Sequence, residues 1–341
     1  MLILKLMVFF LVCVGALNIY AFFTCGADKQ LARINGWRIP EARLLFTGLM
    51  GGCFGLLLGM RFFHHKTRKI WFIVSVPVLC VIWGIILMHP ISALTLDRIV
   101  EYRRVSYHSE NITQALDRYK IAFITDTHAI PAEELRKIAE RLNTVRLDLL
   151  LLGGDFPSQA GAPKRSMEIL SAVGAHDGVF GVEGNHDDYR ALFAAMEEYG
   201  ITTLSNNGQR IREGLYICGI EDLWNRTPDI ASAAAGAAQD DFILLLAHNP
   251  DATMTQDTSM VDLVLSGHTH GGQAAFLGVW APALALRNSI TNYGQRFMSG
   301  WAVSRDGVDV YVSNGTGTFS DVPRMFARPQ VILLTLRTGN R

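Results

Sequence analysis

Three long apolar runs without a charged residue occupy the first 90 residues of this 341-residue chain. They cover residues 6–24, 44–60 and 70–88. Each has 17 to 19 residues, close to the length that a helix needs to cross roughly 30 Å of hydrocarbon. The first run is long for the apolar part of a signal peptide, and no convincing cleavage site follows it. We therefore predict a retained transmembrane region over residues 1–94.

The second run is rich in glycine, and several of its glycines are four residues apart. They are Gly48, Gly51, Gly52, Gly55 and Gly59. Small residues at this spacing let helix backbones approach closely. Packing against the other two helices within the chain is the simpler interpretation. A dimer face is the alternative, and it would make the protein a homo-oligomer.

The basic residues near the runs orient the region only weakly. With the amino terminus inside, five Lys and Arg residues would lie inside and seven outside. The positive-inside rule therefore slightly favours the opposite orientation, with the part after the third run in the cytoplasm. The side of the membrane that carries this part stays open.

The N-terminal part resembles a family of small, uncharacterised bacterial membrane proteins over about residues 10–90. The resemblance is carried by four short motifs, Asp28-Lys29-Gln30-Leu31-Ala32, Trp37-Arg38-Ile39-Pro40-Glu41, Gly51-Gly52 and His65-Lys66-Thr67-Arg68-Lys69. It implies no activity. The polar motifs lie at helix ends, where interfacial anchoring is the simpler role and a functional loop is the alternative. A multi-pass protein of the bacterial inner membrane is the expectation.

Composition excludes several classes of protein. Formal net charge is zero, which does not indicate binding to nucleic acid. The five cysteines form no Cys-x-x-Cys pair, and four of them lie in or beside the apolar runs. A disulfide framework or a zinc knuckle is therefore not expected.

Beyond a polar connector over residues 95–117, short apolar strands alternate with helices. Strands are predicted at 121–125, 147–152, 179–182, 215–220, 242–247, 261–265, 308–312 and 331–336. Helical periodicity covers 131–145 and 188–199. This alternation is typical of an α/β layered domain over residues 118–341.

Five polar motifs each follow an apolar strand. They are Asp126-Thr127-His128, Gly154-Asp155, Gly184-Asn185-His186-Asp187, Ala247-His248-Asn249 and Gly267-His268-Thr269-His270-Gly271. Five of the ten histidines lie in these motifs. Carboxylates and imidazoles suit manganese, iron and zinc, and the lack of thiolates argues against a structural zinc site. The ordered set predicts a metal centre at the ends of the strands.

The ordered set resembles the signature of calcineurin-like metallophosphoesterases over about residues 118–341. Asn314-Gly315-Thr316-Gly317, Pro323-Arg324 and Arg328-Pro329 are similar to a membrane-associated or exported bacterial branch. The resemblance implies a four-layer α-β-β-α sandwich. It also implies a hydrolase that cleaves phosphomonoesters or phosphodiesters by metal-activated hydroxide, with two divalent or trivalent ions.

The resemblance assigns roles to particular residues. The first metal would be held by Asp126, His128 and His270. The second would be held by Asn185, His248 and His268. Asp155 would bridge the two ions. His186 would protonate the leaving oxygen, and Asp187 would orient the His186 ring. Arg324 is a candidate contact for the substrate phosphate.

Three positions depart from the family pattern, and all concern substrate contacts rather than proposed ligands. Ala129-Ile130 follows His128, Phe156-Pro157-Ser158 follows Asp155, and Gln330 replaces an acidic residue.

The sequence is compatible with three functions. The first is a membrane-anchored phosphoesterase acting on a phospholipid or a nucleotide-linked lipid. The second is a catalytically silent metal-binding sensor or scaffold at the membrane. An intact His186-Asp187 pair argues against it, because a binding module has no use for an acid. The third is a transporter-like protein with a regulatory domain, for which three helices are few.

Overall fold

The computed structural model describes residues 2–128, 130–157, 162–286, 290–319 and 321–339. The chain divides into two compact units, Met1–Thr95 and Leu96–Arg341. Each unit has an apolar core of its own.

The N-terminal unit is helical. Its helices are α1 (Leu2–Arg33), α2 (Glu41–Thr47), α3 (Cys53–Phe62) and α4 (Ile70–Leu94). Three segments are long and apolar enough to cross a membrane, namely Leu2–Arg33, Glu41–Phe62 and Ile70–Arg98. Each contains one of the apolar runs that the sequence predicts to be membrane helices.

The second of these segments is not the continuous helix that the sequence predicts. A π-helical turn at Gly48–Gly52 separates α2 from α3, and Gly51 has a φ of 113°. The Asn18 side chain donates to the Gly51 carbonyl at 2.8 Å and accepts from the Gly55 N–H at 2.7 Å. Backbone groups freed inside a membrane need such a partner. The main polar interruption of α1 therefore stabilises the break in its neighbour.

The glycines of α3 lie against α1. A Cβ atom at Gly55 would overlap the backbone of Asn18, and one at Gly59 would meet Cys25. Of the two interpretations of the glycine spacing, packing within the chain and a dimer face, the structure contains the packing within the chain at these two glycines.

The polar motifs of the N-terminal unit converge on Asp28, which is fully buried. Its carboxylate lies 2.6 Å from Nε2 of His65 and 3.1 Å from Nη2 of Arg38. It also accepts from the Ile39 N–H at 3.0 Å. Lys66 lies 3.4 Å from Asp28 and 2.7 Å from Glu41. Paired charges can be buried because each compensates the other, so this cluster connects α1 to the two following loops.

The C-terminal unit contains two six-stranded sheets. Its strands are β1 (Glu101–Ser109), β2 (Lys120–Ile124), β3 (Leu149–Leu152), β4 (Val179–Gly181), β5 (Thr202–Thr203), β6 (Asn207–Arg212), β7 (Leu215–Gly219), β8 (Phe242–Leu246), β9 (Leu263–Ser266), β10 (Gly300–Val303), β11 (Asp309–Val312) and β12 (Gln330–Thr338). One sheet has the order β1-β12-β2-β3-β4-β5, and the other has the order β10-β11-β9-β8-β7-β6.

Apolar clusters define four layers. Alternate residues of both sheets, such as Phe123, Leu151, Leu244 and Leu265, form a core between them. On the outer face of the first sheet lie α5 (Ala132–Asn143), α6 (Ala162–Ser171) and α7 (Tyr189–Glu198). A third apolar cluster covers the outer face of the second sheet and includes α8 (Ile230–Ala234) and α9 (Ala252–Thr255). Helix α10 (Pro282–Ala285) lies in the loop after β9. The layers are the α-β-β-α sandwich that the resemblance implies.

Residues 96–117, which lie in the predicted connector, are part of this unit. They contain β1, which pairs in parallel with β12 from Glu101 opposite Gln330 to Ser109 opposite Thr338. As an edge strand β1 is mostly half-buried or exposed, so it lacks the continuous apolar run that marks a central strand.

Candidate metal centre

The seven predicted ligands follow the carboxyl ends of neighbouring parallel strands. In the first sheet, Asp126 and His128 follow β2, Asp155 follows β3 and Asn185 follows β4. In the second sheet, His248 follows β8, and His268 and His270 follow β9. Parallel strands place their carboxyl ends at one edge, where α/β proteins usually bind ligands. The structure brings all seven side chains together there.

One cluster contains Asp126, His128 and His270, whose ligand atoms lie within 4.8 Å of one another. Nε2 of His128 lies 2.8 Å from Nε2 of His270. Nε2 of His270 lies 3.3 Å from Oδ1 of Asp126. A carboxylate and two imidazoles that face each other so closely form a suitable donor set for a divalent ion.

A second cluster contains Asn185, His248 and His268. Oδ1 of Asn185 lies 3.2 Å from Nε2 of His248 and 2.8 Å from Nδ1 of His268. Asp155 lies between the clusters, since its Oδ2 atom is 3.3 Å from His248 and 3.5 Å from Nε2 of His128. This is the position that a carboxylate shared by two ions requires.

Backbone carbonyls determine which imidazole nitrogen is available to a cation. Nδ1 of His248 lies 2.7 Å from the Gly153 carbonyl oxygen, and Nε2 of His268 lies 2.9 Å from that of Ile290. A carbonyl only accepts, so these nitrogens carry the protons. In the neutral form of each ring, the unprotonated nitrogens are then Nε2 of His248 and Nδ1 of His268, which both face Asn185. Such carbonyl partners commonly fix the tautomer of metal-binding histidines.

Most of these residues have an unusual backbone conformation. Five of the seven have a φ angle between 40° and 70°, namely Asp126, His128, Asp155, His268 and His270. Non-glycine residues rarely adopt this left-handed region. Conformations of this kind cost of order 1–3 kcal/mol each and concentrate at functional sites. The strand ends therefore turn sharply to direct these side chains inward.

Two glycines allow the clusters to approach the backbone. A Cβ atom at Gly267 would overlap the Asp126 carboxylate, and one at Gly184 would overlap the Asp155 carboxylate. Each carboxylate instead accepts a hydrogen bond from the backbone of the adjacent motif, from the His268 and His186 N–H groups respectively.

The charge state of the centre favours neutral rings at three of its four histidines. Burial lowers the pKa of His128 to about 4 and that of His268 to about 3. Burial also keeps the pKa of His270 well below its ordinary value. Burial opposes ionisation of Asp155, but the charge and hydrogen bond of His248 hold the pKa of Asp155 below its usual range. His248 differs from the other three: burial opposes its protonation, but the Asp155 charge raises the pKa of His248 well above its ordinary value. Neutral His128, His268 and His270 beside an ionised Asp155 are in the form that binds metal, and a cation at His248 would displace a proton.

The two predicted catalytic residues have different surroundings. His186 is exposed, and its ring centroid lies 5.5 Å from that of His128, so it borders the first cluster. Asp187, which the resemblance expects to orient this ring, has no hydrogen bond to it among the described residues. Its carboxylate accepts 2.8 Å hydrogen bonds from the backbone N–H groups of Asp155, Phe156 and Gly184. Burial raises the pKa of Asp187 to about 7, and the nearby Asp155 charge adds to this.

Arg324 is not placed to contact a substrate, which corrects the sequence-based assignment. It is buried, with 3% of its surface exposed. Its guanidinium donates to backbone carbonyls of Asn314, Gly317, His270 and Ala327. Burial lowers the pKa of Arg324 to about 10. Its role is to hold the loop after β11 against the His270 turn.

Two aromatic residues flank the centre and carry no signal in the sequence. The Phe319 ring lies 4.9 Å from that of His186, centroid to centroid, and the Trp224 ring lies 4.6 Å from that of His268. Both are nearly half exposed. Each lies several residues beyond a strand end, Trp224 after β7 and Phe319 after β11, and neither is a residue type that ligates metal ions. Ala129 and Ser158, where the chain departs from the family pattern, lie outside the described residues.

Two family models match the chain. The model for calcineurin-like phosphoesterases matches residues 119–272. This chain carries a calcineurin-like metallophosphoesterase domain. The model for a protein family of unknown function, DUF1294, matches residues 18–72. Both resemblances seen in the motifs are thereby confirmed.

Relatives of the domain occur in bacteria and animals. The chain is 27% identical to an uncharacterized metallophosphoesterase of Helicobacter pylori over 65% of this chain and 60% of that protein. It is 28% identical to a transmembrane protein with a metallophosphoesterase domain of Danio rerio, over 67% and 55% respectively. It is 28% identical to phosphodiesterase YaeI of Escherichia coli, over 64% and 82%. This chain thus spans little more than half the length of the first two.

Divalent metal ions are implied by this fold, and the donor set fits them. Two groups of side chains, Asp126 with His128 and His270, and Asp126 with Asp155 and His248, have ligand atoms close enough to hold an ion. Nitrogen and oxygen donors without thiolates suit manganese, iron and zinc.

Proposed function

We propose that the protein is a membrane-anchored, metal-dependent phosphoesterase that hydrolyses phosphodiesters at the surface of a bacterial inner membrane. The observation that carries the proposal is the position of Asp155 Oδ2, 3.5 Å from His128 Nε2 and 3.3 Å from His248 Nε2. A relative named phosphodiesterase favours diesters over monoesters. The three candidate spans favour a substrate at the bilayer, such as a phospholipid or a nucleotide-linked lipid.

Seven side chains would hold two metal ions. Asp126, His128 and His270 would hold one ion, and Asn185, His248 and His268 a second, with Asp155 shared by both. Manganese and iron are the expected ions, and zinc is the alternative. When bound, two cations supply Lewis acidity to the phosphate group and make water nucleophilic near neutral pH.

His186 would give a proton to the leaving oxygen. Its side chain is exposed at the rim, where it can reach an ester group that the centre does not enclose. General acids of this kind contribute about 10²- to 10⁴-fold. Phe319 packs against the His186 ring, which limits the directions in which that ring can point.

Hydrolysis of a chromogenic phosphodiester by full-length protein with Mn²⁺ tests the proposal. We expect His186→Ala to lower kcat by about 10²- to 10⁴-fold while the metal content stays unchanged. A wild-type protein that binds metal at both clusters but cleaves neither monoesters nor diesters would instead support the sensor or scaffold.

A further inference from the structure

A cavity of about 330 Å³ lies beside the metal centre. Its wall includes His270, one of the predicted ligands, and Phe319, whose ring also packs against His186. The volume falls within the range of ligand pockets, which is roughly 300–1,000 Å³. The cavity is therefore large enough for part of a substrate and close enough to the reacting group.

The rest of the wall is mainly apolar. Ala283 belongs to α10, and Ile290 and Val322 come from the loops after β9 and β11. An apolar wall cannot replace the hydrogen bonds that a sugar or base loses on leaving water. It does favour the burial of hydrocarbon.

The polar side chains of the wall are engaged elsewhere. The Thr269 hydroxyl donates to the Met298 carbonyl at 3.1 Å. The Gln273 amide donates to the Phe319 and Val322 carbonyls and accepts from the Phe319 N–H at 2.8 Å. The remaining polar side chain, His270, directs Nε2 towards the metal centre. The surface offered to a ligand is thus more apolar than the residue names suggest.

The segment that forms the wall also exposes large apolar side chains. Val279 and Leu286 are 72% and 66% exposed, and Phe276 and Trp280 are each nearly half exposed. Large apolar surfaces on the outside of a protein usually mark an interaction site. The same chain carries three segments that can span a bilayer, so amphiphilic phosphoesters of that bilayer are within its reach.

We propose that this cavity receives the alkyl or acyl chain of a membrane phosphoester, so that the enzyme prefers esters with a long apolar group. This inference rests on the proposed phosphoesterase function and adds its substrate class. The phosphate would lie at the metal centre, and the chain would extend past Phe319 between α10 and Val322.

Two homologous series test the inference with full-length protein in phosphatidylcholine nanodiscs and Mn²⁺. One consists of alkyl phosphates, followed by phosphate release, and the other of alkyl p-nitrophenyl phosphates, followed by p-nitrophenolate. Ethyl, butyl, hexyl and octyl members are compared. Burial of hydrocarbon predicts that KM falls about two- to fourfold per added methylene, in whichever series is hydrolysed.

Paired variants distinguish binding of the substrate chain in the cavity from partition of the substrate into the nanodisc bilayer. Partition is the same for every variant of the protein. Ala283→Trp fills the cavity and should abolish the dependence of KM on chain length. Ala285→Trp, on the exposed side of the same helix, should keep it. Val322→Asp, with Val303→Asp as its exposed control, repeats the comparison with a charge. Metal content verifies that each variant is folded.

The outcomes are distinct. A wild-type KM that is independent of chain length, or a dependence that survives both Ala283→Trp and Val322→Asp, would overturn the inference and leave the phosphoesterase intact. Hydrolysis of no compound in either series would overturn the proposed function, and the inference with it.

Discussion

The Oδ2 atom of Asp187 accepts a 2.8 Å hydrogen bond from the backbone N–H of Asp155. Two further backbone N–H groups, those of Phe156 and Gly184, donate to the same carboxylate. The side chain therefore holds the turn after β3 against the turn after β4. We therefore expect Asp187 to position Asp155, the predicted shared ligand.

Asp187→Ala should consequently weaken metal binding as well as activity. Loss of groups that orient metal ligands typically lowers affinity by about 10- to 100-fold. Titration calorimetry with Mn²⁺ measures the change. Asp188→Ala is the matched control, because Asp188 caps α7 through the Arg190 and Ala191 N–H groups. If Asp187→Ala loses activity but keeps its Mn²⁺ affinity, Asp187 orients His186 instead.

Arg324→Lys should destabilise the C-terminal unit and spare substrate recognition. A lysine cannot reproduce the planar fork that reaches several backbone carbonyls, so carbonyls around His270 would lose their donors. Unsatisfied buried groups cost about 1–3 kcal/mol each. Thermal denaturation should show a clear loss relative to Arg328→Lys, since Arg328 makes one long bond, of 3.4 Å, to Ile99. An increase in KM at unchanged stability would indicate a substrate contact instead.

Asp177 provides a pH-dependent contribution to stability away from the metal centre. Its carboxylate pairs with Arg212 and accepts a 2.6 Å hydrogen bond from the Tyr119 hydroxyl. Burial opposes ionisation, but these bonds lower the pKa of Asp177 below its ordinary value. Its stabilisation is thus complete above the unfolded pKa of about 4 and is lost as pH falls through the lower, folded value.

Asp177→Asn should therefore lower the free energy of unfolding at pH 7 by about 1–3 kcal/mol, and by less as the pH falls below 4. Denaturant unfolding of both proteins across this range measures the difference. A difference that stays constant with pH would contradict the assigned ion pair.

The sequence predicts the central parts of the fold and misses its edges. The eight predicted strands correspond to β2, β3, β4, β7, β8, β9, β11 and β12. The four strands that the sequence does not predict are those at the sheet edges, namely β1, β5, β6 and β10. An edge strand such as β6 is half-buried or exposed, so selection for apolar residues is weak there.

In the metal centre, the sequence likewise predicts the ligands but not the contacts that support them. Its ligands could be predicted because a motif at a strand end places a side chain at a known edge of the sheet. The partners of Asp187 and Arg324 could not, because both bind backbone groups that any residue offers. Phe319 lies 191 residues from His128, although their ring centroids are 5.8 Å apart, and nothing in the spacing predicts that contact.

The most direct test is anomalous diffraction from crystals of the full-length protein grown with Mn²⁺. We predict two ions per chain, one beside Asp126, His128 and His270 and one beside Asn185, His248 and His268. The Asp155 carboxylate should contact both. A single ion, or two ions of which Asp155 touches only one, would contradict the account.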